Sequence, residues 1–346
     1  MQSNFDLIQK EENLKILRNI KVPTGNIMVV QGDKGKLECL SIGDYGKDVN
    51  LKADFMGLNR NIKSVTHTDL LPLSEKWVIT ISTQYGCSIG CLFCDVPKVG
   101  KGINATYQDL KNQIVTALQL HPEVKHTNRL NIHYARMGEP TWNYNVMEFT
   151  INMKDELRSY IGDSLIHPVV STMMPKRNMI LDIFMDDWIY VKNRVFQGDA
   201  GLQLSINSTD ENERKTMFNN NALSLAEISD MSEKWDAPVG RKYTLNFAVA
   251  GYQINAKQLA KMFDPKKFII KLTPMHKTST ALEHDIKTIG DYTTCYPYQK
   301  HEQELKEEGF DVLVFIASEY EDLGRITCGN AILSGTMPEC PYEVIV

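Results

Sequence analysis

Six short apolar runs, each separated from the next by a segment with helical spacing, are the feature that most constrains the fold of this chain. The runs are rich in β-branched residues, as buried strands are, and they are WVITIST (77–83), RLNIHYA (129–135), LIHPVVS (165–171), GLQLSIN (201–207), YTLNFAV (243–249) and KFIIKLT (267–273). Between them, apolar residues recur at helical spacing, for example at Leu110, Ile114 and Leu118. Strands that alternate with helices pair in parallel through right-handed crossovers. The pattern therefore predicts an α/β fold, with an open or closed βα barrel favoured over a sandwich.

The two ends of the chain depart from this pattern. In the first part, Leu7, Leu14, Ile16 and Leu17 have the spacing of a short amphipathic helix. Two strand-like pieces follow, NIMVV (26–30) and KLECLSI (36–42). After the sixth run come a helical stretch (298–308), a seventh apolar run, FDVLVFIAS (310–318), and a loop-like tail. We therefore predict a small α+β appendage over residues 1–72, followed by a barrel with a C-terminal strand and loop extension over residues 73–346.

Composition and charge narrow the class of protein. Of the 346 residues, 42% are apolar and 23% are charged, which is ordinary for a globular protein with a sizeable core. The net charge of -5 gives no general attraction to polyanions, so nucleic-acid binding would need a local basic patch. No stretch approaches the roughly 18 consecutive apolar residues of a membrane span, and the N-terminus lacks the apolar centre of a signal peptide. We expect a cytoplasmic protein that does not engage membranes.

Three of the seven cysteines, Cys87, Cys91 and Cys94, lie within eight residues. Their spacing is C-x3-C-x2-C, and they directly follow the first barrel strand, where the functional groups of βα folds gather. An odd number of cysteines, clustered in this way, is typical of metal or cofactor ligation rather than of disulfides. Three thiolates leave one iron of a [4Fe–4S] cluster without a protein ligand, and that iron can bind S-adenosylmethionine. The alternative is a structural zinc site with a distant fourth ligand, Cys39 or a histidine.

Polar or reactive residues also follow the later strands. The segments concerned are ARMGEPTWNYNV (135–146), VVSTMMP (169–175), LSINSTDENERKTMFNNN (204–221), LTPMHKT (272–278) and, near the C-terminus, RITCGNAILSG (325–335). Together with the cysteine motif they resemble the radical S-adenosylmethionine superfamily, and specifically the RlmN/Cfr-like adenine methyltransferases, over roughly residues 75–335. The resemblance implies a partial (βα)6 radical S-adenosylmethionine barrel and two cofactors, a [4Fe–4S] cluster on the three cysteines and S-adenosylmethionine.

The same resemblance implies roles for single residues. Glu139, preceded by Gly138, would accept hydrogen bonds from the ammonium group of S-adenosylmethionine. The other candidate cofactor contacts are Ser171, Ser205, Ile206, Asn207 and His276. Cys328 matches the cysteine that carries the methyl group in the family. Taken one at a time, these residues have simpler interpretations: a turn with an exposed glutamate, satisfied strand-end hydroxyls, and a small buried thiol.

The chain also departs from the family. The methyl-transferring relatives use a second cysteine seven residues before the first cluster cysteine, and this position is Thr80 here, which cannot form a disulfide. An asparagine after the sixth strand becomes His276, and the stretch IASEYEDLGRI before the C-terminal cysteine is acidic, which weakens the case for ribosomal RNA. The missing thiol could be supplied through the fold by Cys39, Cys295 or Cys340.

Three functions follow as hypotheses. The first is a radical S-adenosylmethionine enzyme that reductively cleaves its cofactor to a 5′-deoxyadenosyl radical, with altered chemistry because Thr80 replaces the resolving cysteine. The second is an RNA adenine-C methyltransferase that uses methylated Cys328. The third is a non-catalytic metal- or nucleic-acid-binding module. For either enzyme we expect a nucleobase-like, nucleotide-like or RNA substrate and an external electron donor such as flavodoxin or ferredoxin.

Overall fold

A large, mostly parallel sheet forms the centre of the computed structural model, which describes residues 14–44, 70–288, 298–316 and 319–346. Within these residues, eleven strands form the sheet. Their bounds are Lys15–Val22 (β1), Gly25–Gly32 (β2), Gly35–Gly43 (β3), Trp77–Ile81 (β4), Leu130–Tyr134 (β7), Ile166–Thr172 (β8), Gly201–Ser205 (β9), Tyr243–Val249 (β10), Phe268–Pro274 (β11), Asp311–Val314 (β12) and Glu343–Val344 (β13). Two more strands, Gln84–Gly86 (β5) and Lys101–Asn104 (β6), pair with each other as a separate ribbon.

The strands from β4 to β12 of the large sheet all run parallel, in the order β4-β7-β8-β9-β10-β11-β12. On the other side of β4 the sheet continues antiparallel through β3, β2, β1 and β13. Each of the six predicted runs coincides with one parallel strand, although β8 and β11 extend one residue beyond their runs, and the seventh run contains β12. The predicted α/β fold with a large parallel sheet is therefore confirmed.

Helices connect the parallel strands. Their bounds are Tyr107–Gln119 (α1), Asn145–Ile161 (α2), Leu181–Tyr190 (α3), Glu211–Met217 (α4), Leu225–Glu233 (α5), Ala256–Met262 (α6), Ser279–Glu283 (α7), Tyr298–Glu307 (α8) and Glu319–Leu323 (α9). The spacing around Leu110 forms α1, which begins with a capping box between Thr106 and Asp109 that satisfies first-turn N–H groups. None of the helices in the described part of the chain has the length and apolar character of a membrane span.

The two faces of the sheet differ in polarity because alternate residues of a strand point to opposite sides. On one side Trp77, Ile79 and Ile81 of β4 are fully buried in an apolar core that they share with the helices. On the other side Val78 and Thr80 line a cavity. We call these sides the helix face and the cavity face. The same alternation continues across the parallel strands, and it directs polar side chains to one side of the molecule.

The N-terminal segment differs from its prediction. The spacing that includes Leu14, Ile16 and Leu17 does not form a helix there, because residues 15–22 are strand β1, paired with β2. A tight turn returns the chain from β1 to β2, and the backbone pairing of this hairpin overrides the local helical preference. Leu7 lies outside the described residues. The two predicted strand pieces are confirmed as parts of β2 and β3.

The C-terminal segment packs against β1–β3 on the side opposite the helices. Ile326, Ile332 and Cys340 share an apolar cluster with Ile27 and Leu40 of the N-terminal strands. Because β3 pairs directly with β4, the N-terminal strands and the parallel strands belong to one sheet. The predicted division between residues 72 and 73 remains a prediction.

Candidate functional site

The cysteine loop (residues 87–94) follows β5 through a turn that requires glycine. Gly86 has a φ of +81°, and a Cβ added there would lie 2.3 Å from the carbonyl carbon of Gly100. This close approach lets the backbone N–H of Cys87 donate to the carbonyl oxygen of Gly100 at 3.0 Å. A larger residue at position 86 would separate the two backbones. The start of the loop is therefore set by local geometry.

Distant segments hold the rest of the cysteine loop. The backbone N–H of Leu92 donates to the carbonyl of Met217 at 2.9 Å, and the side-chain amide of Asn221 donates to the carbonyl of Ile89 at 2.7 Å. We call residues 217–222 the clamp segment. On the other side, the N–H of Asp95 donates to the carbonyl of Gly329 at 2.8 Å. The loop is thus fixed between the end of α4 and the C-terminal region.

The three thiols of the cysteine loop lie in a poorly hydrated and electrostatically negative place. Burial raises the pKa of Cys87 to about 12, and the charge of Glu139 acts in the same direction. Burial also raises the pKa of Cys91 and of Cys94 well above the usual range, and each is raised further by the neighbouring thiols, including Cys328. Thiols of this kind become thiolates when a metal replaces their protons.

The donor set fits a [4Fe–4S] cluster. Within the described residues, no three His, Cys, Asp or Glu side chains are gathered around a position for a single metal ion. In a four-iron cluster each thiolate binds a different iron, so its ligands stand farther apart than those of one ion. The three thiols lie on one loop and act on each other's pKa, and three thiolate donors leave one iron of such a cluster without a protein ligand.

Glu139 is a buried carboxylate beside the cysteine loop. Gly138 before it has a φ of +95°, and a Cβ there would lie 2.5 Å from the Cβ of Gln84, so the backbone passes close to β5. The carboxylate accepts hydrogen bonds from the Thr141 N–H (3.1 Å), the Thr141 hydroxyl (2.9 Å) and the Met173 N–H (3.1 Å). These donors are neutral, and burial raises the pKa of Glu139. A ligand cation would compensate the buried charge.

A cavity with about 170 Å³ of water-accessible space lies on the cavity face, next to the cysteine loop. Five residues predicted from separate segments of the sequence line it: Ser171, Ser205, Asn207, His276 and Cys328. Asn207 has a φ of +62°, and its side-chain oxygen accepts from the N–H of Ala248 at 2.9 Å. Ile206 is fully buried in the core of the helix face, so its side chain does not line this cavity.

A second cavity, of about 190 Å³, shares part of its wall with the first. Cys328, His133 and Lys271 line both cavities. Thr80 lines the second one. Cys328 and Thr80 are far apart in the sequence, and the fold brings them to one cavity.

The strands also direct polar residues into these cavities that no motif in the sequence marks. They are Asn131, His133, Gln203, Asn246, Lys271 and Thr273. Burial, with the charges of Lys271 and Arg241, lowers the pKa of His133 to about 3, so its imidazole is neutral near pH 7. The available signal was the alternation of these polar residues with apolar ones inside the predicted runs.

The remaining described cysteines, Cys39 and Cys340, lie away from the cavity that Thr80 lines. Leu40 pairs with Thr80, so the adjacent Cys39 points to the opposite side of the sheet, where it is buried in the core of the helix face. Cys340 is buried in the apolar cluster between the C-terminal segment and β1–β3. Cys295 lies outside the described residues. Neither Cys39 nor Cys340 lines the cavity that Thr80 shares with Cys328.

The Cys328 loop (residues 325–333) is held by a buried ion pair from two strands. Glu38 of β3 pairs with Arg136, which follows β7, and the two side chains are 0% and 1% exposed. Arg136 donates to the carbonyl oxygens of Arg325 (2.9 Å) and Thr327 (3.5 Å). Glu38 accepts from the N–H groups of residues 332 (3.2 Å) and 333 (3.0 Å). The pair therefore holds the chain on both sides of the cysteine.

Cys328 itself is exposed on the cavity wall. The protein around the cavity desolvates its thiol and raises the pKa, while the charges of Arg136 and Lys271 act in the opposite direction. The backbone of Gly329 lies against Phe93 and Cys94, because a Cβ there would come within 3.1 Å of the Phe93 carbonyl oxygen. The Cys328 loop and the cysteine loop are therefore in direct contact.

Known proteins resemble the chain in sequence and in fold. It is 24% identical over 218 residues to a probable dual-specificity RNA methyltransferase RlmN of Thermus thermophilus, covering 61% of this chain and 57% of that protein. It is 27% identical over 213 residues to the corresponding protein of Pseudothermotoga lettingae, covering 60% and 57%. Among solved structures, a radical SAM methyltransferase from Sphaerobacter thermophilus matches with a TM-score of 0.60 and 19% identity, over 92% of this chain and 80% of that one.

These matches cover only part of the relatives and are low in sequence identity. No protein-family model matches the chain. The matched region spans 57% of the length of the two RlmN relatives, which is less than two thirds. Their similarity nevertheless agrees with the fold likeness to a radical SAM methyltransferase. The chain is thus similar in sequence to RlmN-type RNA methyltransferases, and its fold is like that of a radical SAM methyltransferase.

Proposed function

We propose that this protein is a radical S-adenosylmethionine enzyme. The observation that carries the proposal is the closeness of three elements: the three-thiol loop, the buried Glu139, whose charge acts on Cys87 and Cys91, and a cavity whose wall includes Cys328. Cys87, Cys91 and Cys94 would hold a [4Fe–4S] cluster. When bound, this cluster supplies the electron that cleaves S-adenosylmethionine and releases a 5′-deoxyadenosyl radical. The similarity to RlmN proteins supports this class of chemistry.

The residues around the cavity would bind and orient the cofactor and the substrate. Glu139 would accept from the ammonium group of S-adenosylmethionine, which would offset the cost of burying its charge. The remaining proposed cofactor contacts are Gly138, Ser171, Ser205, Ile206, Asn207 and His276, and Ile206 would contribute through its backbone. We also propose that the parallel strands curve into a partial (βα)6 barrel, which would exclude bulk water from the reacting atoms.

We further propose that the chemistry differs from the two-cysteine route. The position of the resolving cysteine is Thr80, and in the described residues neither Cys39 nor Cys340 shares its cavity. Cys328 would then act as a hydrogen donor, thiyl carrier or one-carbon carrier without forming a disulfide. The substrate would be nucleobase-like or nucleotide-like, and an external carrier such as flavodoxin or ferredoxin would supply the electron.

A second candidate function is RNA adenine-C methylation through methylated Cys328. The names of the sequence relatives and the exposure of Cys328 on the cavity wall favour it. This candidate predicts a methyl adduct on Cys328 that is visible in the intact mass after expression. Absence of the adduct in the wild type and in each single-cysteine variant would count against it.

The test of the main proposal is anaerobic turnover with methyl-labelled S-adenosylmethionine. We expect iron and sulfide, added to the purified chain, to produce the absorbance of a [4Fe–4S] cluster, and dithionite to produce 5′-deoxyadenosine. The position of the label, on Cys328, on a substrate or on neither, then separates the two candidate functions. No cluster absorbance and no 5′-deoxyadenosine would contradict both, and tightly bound zinc would favour a metal-binding module instead.

A further inference from the structure

Three cations lie on the surface next to the clamp segment. Lys176 contacts this segment through its backbone N–H, which donates to the carbonyl of Asn221 at 2.7 Å, and through its ammonium group, 3.4 Å from the side-chain oxygen of Asn220. Lys215, near the end of α4, accepts at its carbonyl from the N–H of Asn220 at 2.6 Å. Arg177 follows Lys176 directly. The Arg177 and Lys215 side chains are exposed, and that of Lys176 is half-buried.

The clamp segment connects this surface to the thiols. Asn221 bonds to Ile89 and Met217 bonds to Leu92, on either side of Cys91. Met217 and Ile89 belong to an apolar cluster against which Cys87 and Cys91 are packed. Lys176 and Lys215 therefore contact the segment that packs against Cys91, and none of the three cations lines either cavity.

The three cations have no close ion-pair partner in the part of the chain that the structure describes. Within the described residues, no carboxylate oxygen lies within 4 Å of the side-chain nitrogens of Lys176, Arg177 or Lys215, although Glu227 is close enough for Lys176 to act on it. The whole chain has a net charge of -5 and therefore repels an acidic protein on average. A local patch of opposite sign overcomes such repulsion by steering the partner to one orientation.

An exposed apolar residue adjoins the cations. Met179 is 97% exposed, two residues after Arg177. Methionine and arginine are enriched in protein interfaces relative to the rest of the surface, whereas lysine at the rim mainly supplies steering. We call Lys176, Arg177, Met179 and Lys215 the basic patch. An apolar contact within a basic surround is the arrangement that suits a transient, electrostatically guided partner.

We propose that the basic patch is the docking surface for an acidic one-electron carrier protein. The inference rests on the proposed function, because the carrier delivers its electron to the cluster held by the cysteine loop. In this step the carrier is oxidised by one electron, the cluster is reduced by one electron, and no covalent bond forms or breaks. A small reductant such as dithionite needs no docking surface, whereas a carrier protein does. Comparing turnover with the two reductants therefore distinguishes an effect on docking from an effect on the reaction.

The experiment compares the K176E/R177E/K215E variant with a matched control, K257E/K261E/K266E, which makes the same change in net charge on and after α6. Binding of flavodoxin to the reconstituted protein is measured by calorimetry at low and high salt. We expect the patch variant to weaken binding at least tenfold and to lose its salt dependence, and the control to bind within about twofold of wild type. Patch and control variants that bind flavodoxin equally well, or equally poorly, would overturn the proposal.

Turnover gives the second measurement. We expect the patch variant to make 5′-deoxyadenosine normally with dithionite but at least tenfold more slowly with reduced flavodoxin. Equal slowing with both reductants would mean that the substitutions damage the site, and it would refute the docking assignment. If the wild type makes no 5′-deoxyadenosine with dithionite, the proposed function fails, and the binding measurement still decides whether the patch docks an acidic protein.

Discussion

The two cysteine-bearing loops contact each other, but different interactions hold them. The cysteine loop is held by neutral hydrogen bonds, one to Gly100 next to it in the chain and others to Met217 and Asn221 far from it. The Cys328 loop is held by Glu38 and Arg136, which are nearly 200 residues or more away along the chain. Neutral backbone contacts cost little to bury, whereas a buried ion pair carries a large desolvation penalty.

This difference suggests a division of tasks. The cysteine loop has to present three thiols at a spacing that its own sequence largely provides. The Cys328 loop has to hold one thiol at a place that the loop cannot determine by itself. The buried pair joins β3, the end of β7 and the C-terminal segment at one point. We therefore expect substitutions of the cysteines in the first loop to act on the cofactor, and substitutions of the buried pair that holds the second loop to act on the fold.

The largest effect is expected from C91A. Loss of one of three thiolates removes a ligand that no neighbouring group in the motif replaces, so the variant should bind little iron and form no 5′-deoxyadenosine. Its unfolding midpoint without metal should stay near that of the wild type. Iron analysis and urea denaturation measure the two quantities, and C340A serves as the control for loss of a buried thiol. A C91A protein with a normal cluster would remove Cys91 from the ligand set.

The next effect concerns the ion pair. R136M leaves the Glu38 carboxylate buried without its partner, which should lower the free energy of unfolding by about 3–5 kcal/mol. The double variant E38M/R136M removes both charges and should be more stable than R136M, while its Cys328 reacts faster with maleimide because the loop loses its anchors. Urea denaturation and peptide mass spectrometry measure these outcomes. A double variant no more stable than R136M would show that the unpaired charge is not the cause.

Glu139 gives a pH-dependent prediction. Because burial raises its pKa, the folded protein without ligand binds a proton that the unfolded chain has lost, and stability should fall as the pH rises through this raised pKa. E139Q should lack that part of the pH dependence and should bind S-adenosylmethionine about tenfold or more weakly, equivalent to about 1.4 kcal/mol. Calorimetry between pH 5 and pH 8 tests both, with E156Q as a partly exposed control. Identical pH profiles for wild type and E139Q would contradict the assignment.

The smallest effect on stability is expected from T80C, because the two side chains are similar in size and a point substitution typically costs about 1 kcal/mol. The new thiol shares a cavity with Cys328, so mild oxidation should join the two in a disulfide detected by peptide mass spectrometry. T80S is the control without a thiol. If oxidised T80C shows no such peptide, positions 80 and 328 do not approach each other closely enough for the two-thiol route.

Local patterns predicted much of the fold and part of the site. The alternation of apolar residues located every parallel strand, and the spacing of Cys87, Cys91 and Cys94 identified the cysteine loop. The helical spacing around Ile16 predicted a helix, and this prediction is wrong because the pairing of β1 with β2 outweighs a weak local helical preference. The Glu38–Arg136 pair was not predicted, because nothing near either residue in the sequence indicates its partner.

The sequence by itself determined the α/β class, the positions of the parallel strands and the three-thiol motif, since each depends on residues that are neighbours along the chain. Tertiary structure decided which distant residues share a cavity: Cys328 with Thr80, but not Cys39, whose strand turns it to the other face. It also decided that Glu38 reaches Arg136 across the sheet. Those contacts depend on strand order and register, which are set by long-range packing and not by the composition of any single segment.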